Sequence, residues 1–163
     1  MRKFLLLFFV VYSLAGYGQN YIQVIKSNVN IRFAASSSSN LITQAKNGNI
    51  FEMTDEKDGW YAINMFSGEY RYIHKSLCKK VDYVLEIPES EQLRKTIFLA
   101  ILNAEDKAQV DADKKYPNNI YANIDYSRIL VDKYKLNALN KFNIQPPVYS
   151  KLILEGVKKR WDR

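Results

Sequence analysis

His74 and Cys78 are the only pair in this sequence that could support nucleophilic catalysis, since the chain has one His and one Cys. A Cys–His dyad needs a thiolate beside the imidazole, usually with a third residue that orients the base. Nothing around the pair resembles the catalytic domain of a peptidase. Because a free Cys packs as a small hydrophobe, we interpret Cys78 as structural and predict no catalytic residue.

The remaining candidates for chemistry are weaker. The serine run from Ser36 to Ser39 lacks the G-x-S-x-G frame of a nucleophile elbow, so we interpret it as a polar loop. Asp111-Ala112-Asp113 begins like a calcium loop, but Tyr116 takes the place of the required Gly and Ala122 that of the required Glu. With one Cys and one His, multi-cysteine and multi-histidine sites are excluded. We therefore predict no metal and no cofactor.

Aromatic residues are the better candidates for binding. Trp60, Tyr70 and Tyr72 occupy predicted strands, where an aromatic ring can stack on a peptide or a sugar. The competing interpretation, which we favour, is that they pack against the helical half, because a helix layer must bury its apolar stripe somewhere. Strand alternation places Trp60 on the outer face or at the strand end. The opposite face is the predicted core: Tyr61, Ile63 and Met65.

Composition is that of a globular protein of one or two small domains: 163 residues, 47% hydrophobic and 25% charged. The net charge is +7. The densest basic cluster, Lys158-Lys159-Arg160 with Arg163, lies at the chain end. Cations favour helix C-termini, so we interpret the cluster as a solvated helix end and predict no nucleic-acid partner.

The N-terminus has the order of a secretory signal peptide. A basic start at Arg2-Lys3 is followed by an apolar run from Phe4 to Tyr12 and then by small residues. The run is too short to span a membrane, which requires about 20 residues. We predict cleavage after Gly18, with cleavage after Ala15 as the alternative. The mature protein is then exported, to the periplasm or beyond, with no stable membrane span.

Short strands and turns fill the chain from Tyr21 to Val81. The turn signals are Asn47-Gly48, Asp58-Gly59 and Ser67-Gly68. Strands this close together indicate a small barrel or sandwich.

The apolar spacing becomes helical from about Pro88. Ser90 is a capping candidate with acidic residues beside it, which predicts the start of a first helix. Its stripe has i, i+3/i+4 spacing. The stripe contains Leu93, Ile97, Ile101, Ala104 and Ala108, widened by Phe98 and Leu102.

Two further helices are predicted. The segment from Pro117 to Asn119 ends the first, Asp125 is a capping candidate for the second, and residues 136–144 fit a helix or an irregular segment equally well. Gln145-Pro146-Pro147 precedes the third helix. Gly156 costs about 1 kcal/mol against Ala in a helix interior, which a close helix crossing would explain. The apolar face of the third helix contains Tyr149, Leu152, Ile153, Val157 and Trp161.

The first half resembles a bacterial SH3-type domain of exported cell-envelope proteins. Val29-Asn30-Ile31-Arg32 is similar to the "(L/V)N(V/I)R" strand of that family, and Asn47-Gly48-Asn49 to its "kG" turn. Residues 58–63 (DGWYAI) are similar to its "dGWykV" hairpin strand. Residues 68–78 (GEYRYIHKSLC) are similar to "GktGWVhssyL". Four pieces in the right order carry the resemblance.

Two departures from the family pattern affect the expected groove. Phe33-Ala34-Ala35-Ser36 stands where the family usually has a Gly-Pro turn, in a loop that often borders the ligand groove. Arg71-Tyr72 replaces the usual Gly-Trp pair. The resemblance implies a module that binds cell-wall peptides or serves in targeting and scaffolding, with Trp60, Tyr70, Tyr72 and Phe33 as ligand-binding candidates.

The sequence thus predicts an α+β protein: a signal peptide at 1–18, a small SH3-like β-barrel at 19–82, and a roughly three-helix region at 83–163 that resembles no family we can name. The expected function is a non-catalytic cell-envelope binding or scaffolding protein whose partner is peptidoglycan peptide or another envelope protein. The alternatives are a cell-wall hydrolase and an inhibitor-like partner protein.

Overall fold

The computed structural model describes residues 21–162, and the expected signal peptide lies outside these residues. An antiparallel sheet is followed by three helices, which confirms the α+β prediction. The strands are β1 (Tyr21–Val24), β2 (Val29–Arg32), β3 (Leu41–Ala45), β4 (Ile50–Lys57), β5 (Trp60–Asn64), β6 (Tyr70–His74) and β7 (Cys78–Val81). The helices are α1 (Glu91–Lys115), α2 (Ile120–Lys141) and α3 (Tyr149–Lys159), with 3₁₀ turns at Lys75–Leu77 and Pro146–Val148.

Within residues 21–162 the seven strands run in the order β3-β2-β6-β5-β4-β1-β7 and enclose one hydrophobic core. Every strand contributes to that core, as expected for a sheet that curls into a small barrel. The expected core face of β5 is confirmed, since Tyr61 and Ile63 are buried within the core together with Met65 just beyond the strand.

The β4–β5 hairpin sets the register of the outer face. Asp58 and Gly59 both have positive φ, 50° and 83°, as a tight primed turn requires. Lys57 is then paired with Trp60, and Trp60 becomes the first residue of β5. The turn signal in the sequence is thereby confirmed.

Caps define the helix starts. The Ser90 hydroxyl accepts a hydrogen bond from the Leu93 amide, which confirms the predicted start of α1. The expectation that Asp125 caps the second helix is wrong: α2 begins at Ile120, and the Asn119 side chain accepts from the Ala122 amide. No helix within residues 21–162 combines the length and apolar character needed to cross a membrane.

The helices pack around a second core built from Ile97, Ile101, Leu139, Ile144, Val148 and Leu152. Gly156 lies against the Phe98 ring, and a Cβ added there would stand 2.2 Å from the ring, so the predicted close crossing is confirmed. Two residues of the predicted stripes are not covered: Leu93 is 39% exposed and Val157 63% exposed.

The two cores interlock. Leu136 of α2 belongs to the barrel core, while Phe66 of the β5–β6 loop packs against the helical core. Across the junction, the Asn49 side-chain amide donates to Asn140 Oδ1 over 2.9 Å. The Gln145 side-chain oxygen accepts from the Ile50 amide at 2.9 Å. Several elements of the helical half therefore pack against the barrel.

Candidate functional site

Strand β6 alternates between the core and an outward polar face. Arg71 and Ile73 are buried, whereas Tyr70 and His74 are exposed and Tyr72 is half-buried between them. Alternation therefore places the two tyrosines and the histidine on one face of the sheet.

The strand register brings Trp60 to this face. Trp60 is paired with His74 across β5 and β6, and their rings meet edge to face with centroids 5.1 Å apart. Tyr72 is paired with Ala62 on one side and with Arg32 of β2 on the other. The β5–β6 pairing thus builds an aromatic pair at one end of β6, and the β6–β2 pairing builds a Tyr–Arg pair at its centre.

A cleft of about 280 Å³ opens beside the Trp60–His74 pair. The β1–β2 loop forms one wall, with Lys26 and the left-handed Asn28, whose φ is 55°. Arg32 lines the cleft from β2. Since all of these residues belong to the barrel, the favoured expectation that Trp60 packs against the helical half is wrong. The helical stripe is instead covered by Phe66 and Leu85, among others.

Cations and hydrogen-bonding groups accompany the aromatic rings in this Trp60 cleft. The Arg32 guanidinium donates to the Ser39 carbonyl over 2.6 Å and so ties the serine-rich loop to the cleft wall. Lys26 is exposed at the rim. His74 Nδ1 lies 2.8 Å from the Ser76 hydroxyl, which fixes the orientation of the imidazole. The arrangement offers stacking surface next to positive charge, a combination suited to a ligand with carboxylates.

Phe33 belongs to a different cleft. It is 53% exposed and lines a cavity of about 370 Å³ together with Arg71 and with Asp125 of α2. The Arg71 guanidinium carbon lies 5.4 Å from the centre of the Phe33 ring, a cation–π distance. Tyr70 is 56% exposed, opposite Asn64 at the far end of β6. The four predicted site residues therefore do not converge on one cleft.

A buried ion pair lies beneath the Phe33 cleft and joins the barrel to α2. Arg71 Nε donates to Asp132 Oδ2 over 2.8 Å, and the two side chains are 2% and 0% exposed. Ser67 donates its amide to one Asp132 oxygen at 2.8 Å and its hydroxyl to the other at 2.9 Å. Burial raises the pKa of Asp132, while the Arg71 charge and the Ser67 hydrogen bonds act in the opposite direction.

Cys78 lies in the barrel core, away from solvent. Burial raises the pKa of its thiol to about 12, so the thiol stays protonated at neutral pH and lacks the nucleophilic form. Among residues 21–162, no group of three or more His, Cys, Asp or Glu side chains could hold a metal ion.

Residues 27–79 match the family model described as Bacterial SH3 domain. The barrel therefore contains a bacterial SH3 domain, as the motifs predicted, and domains of this family typically bind the cell wall. The match ends before the helical region, which remains unassigned. The search of the curated proteins found no match to the chain.

Trp60 was a predicted binding residue, but its neighbours in the cleft, including Lys26, Arg32 and His74, were not. A signal was present for His74. Alternation along β6 puts His74 on the face of Tyr70 and Tyr72, and the Ser67-Gly68 turn signal indicates that β6 pairs with β5, where His74 lies opposite Trp60. The position of Lys26 depends on the β1–β2 loop, for which no local pattern in the sequence accounts.

Proposed function

We propose that this protein is an exported, non-catalytic cell-envelope protein whose Trp60 cleft binds peptidoglycan peptide. The observation that carries the proposal is the Trp60–His74 pair, at 5.1 Å, in a cleft that also holds Arg32 and Lys26. The bacterial SH3 match at residues 27–79 supports a ligand from the cell wall.

The chemistry of the ligand suits the cleft. Peptidoglycan stem peptides carry free carboxylates and a backbone rich in amides. Arg32 and Lys26 supply positive charge for the carboxylates, and the Trp60 ring supplies a flat surface for the peptide chain. The neighbouring Asn30 side chain, which accepts from Gln44 at 2.9 Å, adds a polar group at the same wall.

The non-catalytic assignment rests on Cys78 and His74. The buried, protonated thiol of Cys78 is a poor nucleophile, and His74 is turned toward Ser76 by a 2.8 Å hydrogen bond. A hydrolase that used this pair would need a thiolate beside the imidazole.

A pelleting assay tests the proposal. Mature protein is incubated with purified peptidoglycan, the pellet is assayed for protein, and the supernatant is analysed for muropeptides. We expect pelleting without fragments, weakened at least about tenfold by Trp60→Ala, because aromatic anchors at interfaces contribute about 2 kcal/mol or more. Tyr121→Ala, which removes an aromatic ring that is 84% exposed on α2, is the control that leaves pelleting unchanged.

The other outcomes identify the alternatives. Release of muropeptides would contradict the non-catalytic assignment and favour a cell-wall hydrolase. Absence of both pelleting and fragments would contradict peptidoglycan as the ligand and favour a protein partner, including one that this protein inhibits.

A further inference from the structure

A second groove, larger than the Trp60 cleft, lies on the helical half. It has a volume of about 730 Å³ and runs between α1 and α2 toward Lys46, in the turn before β4. We name it the helical groove. Its apolar lining consists of Ala100, Ala104, Ala138 and Phe142. Small alanines leave the two helices with a depression that larger side chains would fill.

The charges around the helical groove are of one sign. Lys46, Lys107 and Lys141 line it, and its lining contains no Asp or Glu. At one end, Lys107 Nζ forms an ion pair with Asp111 Oδ2 over 2.9 Å. The same Asp111 oxygen accepts a hydrogen bond from the Tyr134 hydroxyl over 2.8 Å. Lys46 and Lys141, by contrast, are exposed and form no ion pair within residues 21–162. Positive charge is therefore uncompensated at the end near the barrel.

Unused side-chain amides line the groove from both helices. Asn103 on α1 and Asn137 on α2 are exposed, and neither side chain has a hydrogen-bond partner within the described part of the chain. A primary amide presents both a donor and an acceptor, which matches the alternating groups of a peptide backbone. An ionised phosphate polymer would use the lysines but has no hydrogen-bond donors for the amide oxygens.

We infer that the helical groove binds an acidic segment of a protein partner. Carboxylates of the segment lie against Lys46 and Lys141, its backbone against Asn103 and Asn137, and one apolar side chain over Phe142. The site is distinct from the Trp60 cleft, so the protein has one surface for the cell wall and one for a second protein. The inference therefore does not depend on the identity of the cell-wall ligand.

Fluorescence anisotropy with a defined probe tests the inference. The probe is a fluorescein-labelled hexapeptide, Glu-Leu-Glu-Asp-Leu-Glu, and its neutral counterpart has Gln and Asn in place of the acids. We expect the acidic peptide to bind the mature chain. Lys46→Glu and Lys141→Glu, each as a single variant, should weaken binding at least about tenfold, since a carboxylate contact becomes a repulsion. Lys133→Glu, an equal charge change at an exposed α2 position outside the groove, should leave the affinity within about twofold.

A variant that changes no charge separates the groove from general electrostatics. Asn137→Trp places a bulky ring at an exposed position of the groove, so we expect it to weaken binding while circular dichroism stays unchanged. The inference is overturned if the wild-type chain fails to bind the acidic peptide at about 1 mM, or if Lys133→Glu weakens binding as much as the groove variants. Displacement of the peptide by inorganic polyphosphate at lower concentration than by unlabelled acidic peptide would likewise overturn a peptide occupant in favour of an anionic polymer.

Discussion

Replacing Arg71 by Met should test whether the buried ion pair fastens the helical half to the barrel. Met supplies an apolar side chain of similar length to that of Arg, but it leaves the Asp132 carboxylate without a cation. Asp132 is 0% exposed and would keep only the two hydrogen bonds from Ser67. Removing one partner of a buried pair costs about 3–5 kcal/mol, a large share of the about 5–15 kcal/mol that stabilises a typical domain.

The pH dependence of this loss follows from the pKa of Asp132. Burial already raises that pKa, and Arg71 is the charge that opposes it, so Arg71→Met should raise it further. A carboxyl whose folded-state pKa lies above its unfolded value stabilises the fold at low pH and loses that contribution as pH rises through the folded value. The difference in stability between wild type and Arg71→Met should therefore be smaller at about pH 4 than at about pH 7.

Urea unfolding provides the assay, with two natural reporters. Trp60 reports on the barrel and Trp161, buried beside Phe98, reports on the helices, so Trp60→Phe and Trp161→Phe variants isolate each signal. We expect the two transitions to coincide in the otherwise unchanged chain, because the cores interlock. Arg71→Met combined with Asp132→Leu should recover about 2 kcal/mol relative to Arg71→Met alone, since the unpaired buried charge is gone. A cost of Arg71→Met below about 1 kcal/mol, or strict additivity in the double variant, would refute the reasoning.

The other predictions concern stability and processing. Cys78→Ser should cost about 1–3 kcal/mol because the buried hydroxyl lacks a partner, and native protein should react slowly with thiol reagents. Burial raises the pKa of the Cys78 thiol from 9.0 to about 12, so its contribution to the free energy of unfolding is complete below pH 9 and declines above it. In parallel urea titrations, wild type should therefore lose more stability than Cys78→Ala between about pH 8 and about pH 10. Gly156→Ala should destabilise by about 1–2 kcal/mol in thermal melts, because overpacking against Phe98 exceeds the about 1 kcal/mol gain in helix propensity. A fragment starting at Asp82 should show no cooperative monomeric transition like that of the full chain, because it lacks the barrel surface that covers α2. Mass analysis of the exported protein should show a new N-terminus after Gly18, and intact Met1 would contradict signal cleavage.

The sequence was most informative where a feature is local. Ser90 caps α1, and α1 ends at Lys115, just before Pro117, because caps and prolines act within one helical turn. The close helix crossing at Gly156 was also predictable, since a glycine inside a helix implies a close neighbour. The start of α2 was misjudged because Asn119 and Asp125 are both good caps, and local preference does not separate them. Asn119 prevails by accepting a hydrogen bond from the Ala122 amide.

The contacts that join the two halves could not be predicted from the sequence. Arg71 and Asp132 are 61 positions apart, and no local pattern around either residue predicts their contact. Leu136 lay in a segment compatible with a helix or an irregular chain, yet it completes the barrel core. The placement of Trp60 was misjudged for the same reason, because only the tertiary arrangement shows that Phe66 and Leu85 cover the helical stripe.

The departure from the family pattern at Arg71-Tyr72 now has a physical explanation. Where the family usually has a Gly-Trp pair, this chain places an inward-facing arginine that is satisfied by Asp132 of α2, followed by an outward-facing tyrosine beside Arg32. An isolated barrel would leave the Arg71 charge at its end without a partner, so this substitution makes sense only in a chain that also supplies α2. Because β6 carries the junction on one face and the Trp60 cleft on the other, the same strand that secures the helices also orients His74 toward Trp60. The Arg71–Asp132 contact therefore links α2 to the strand that carries His74.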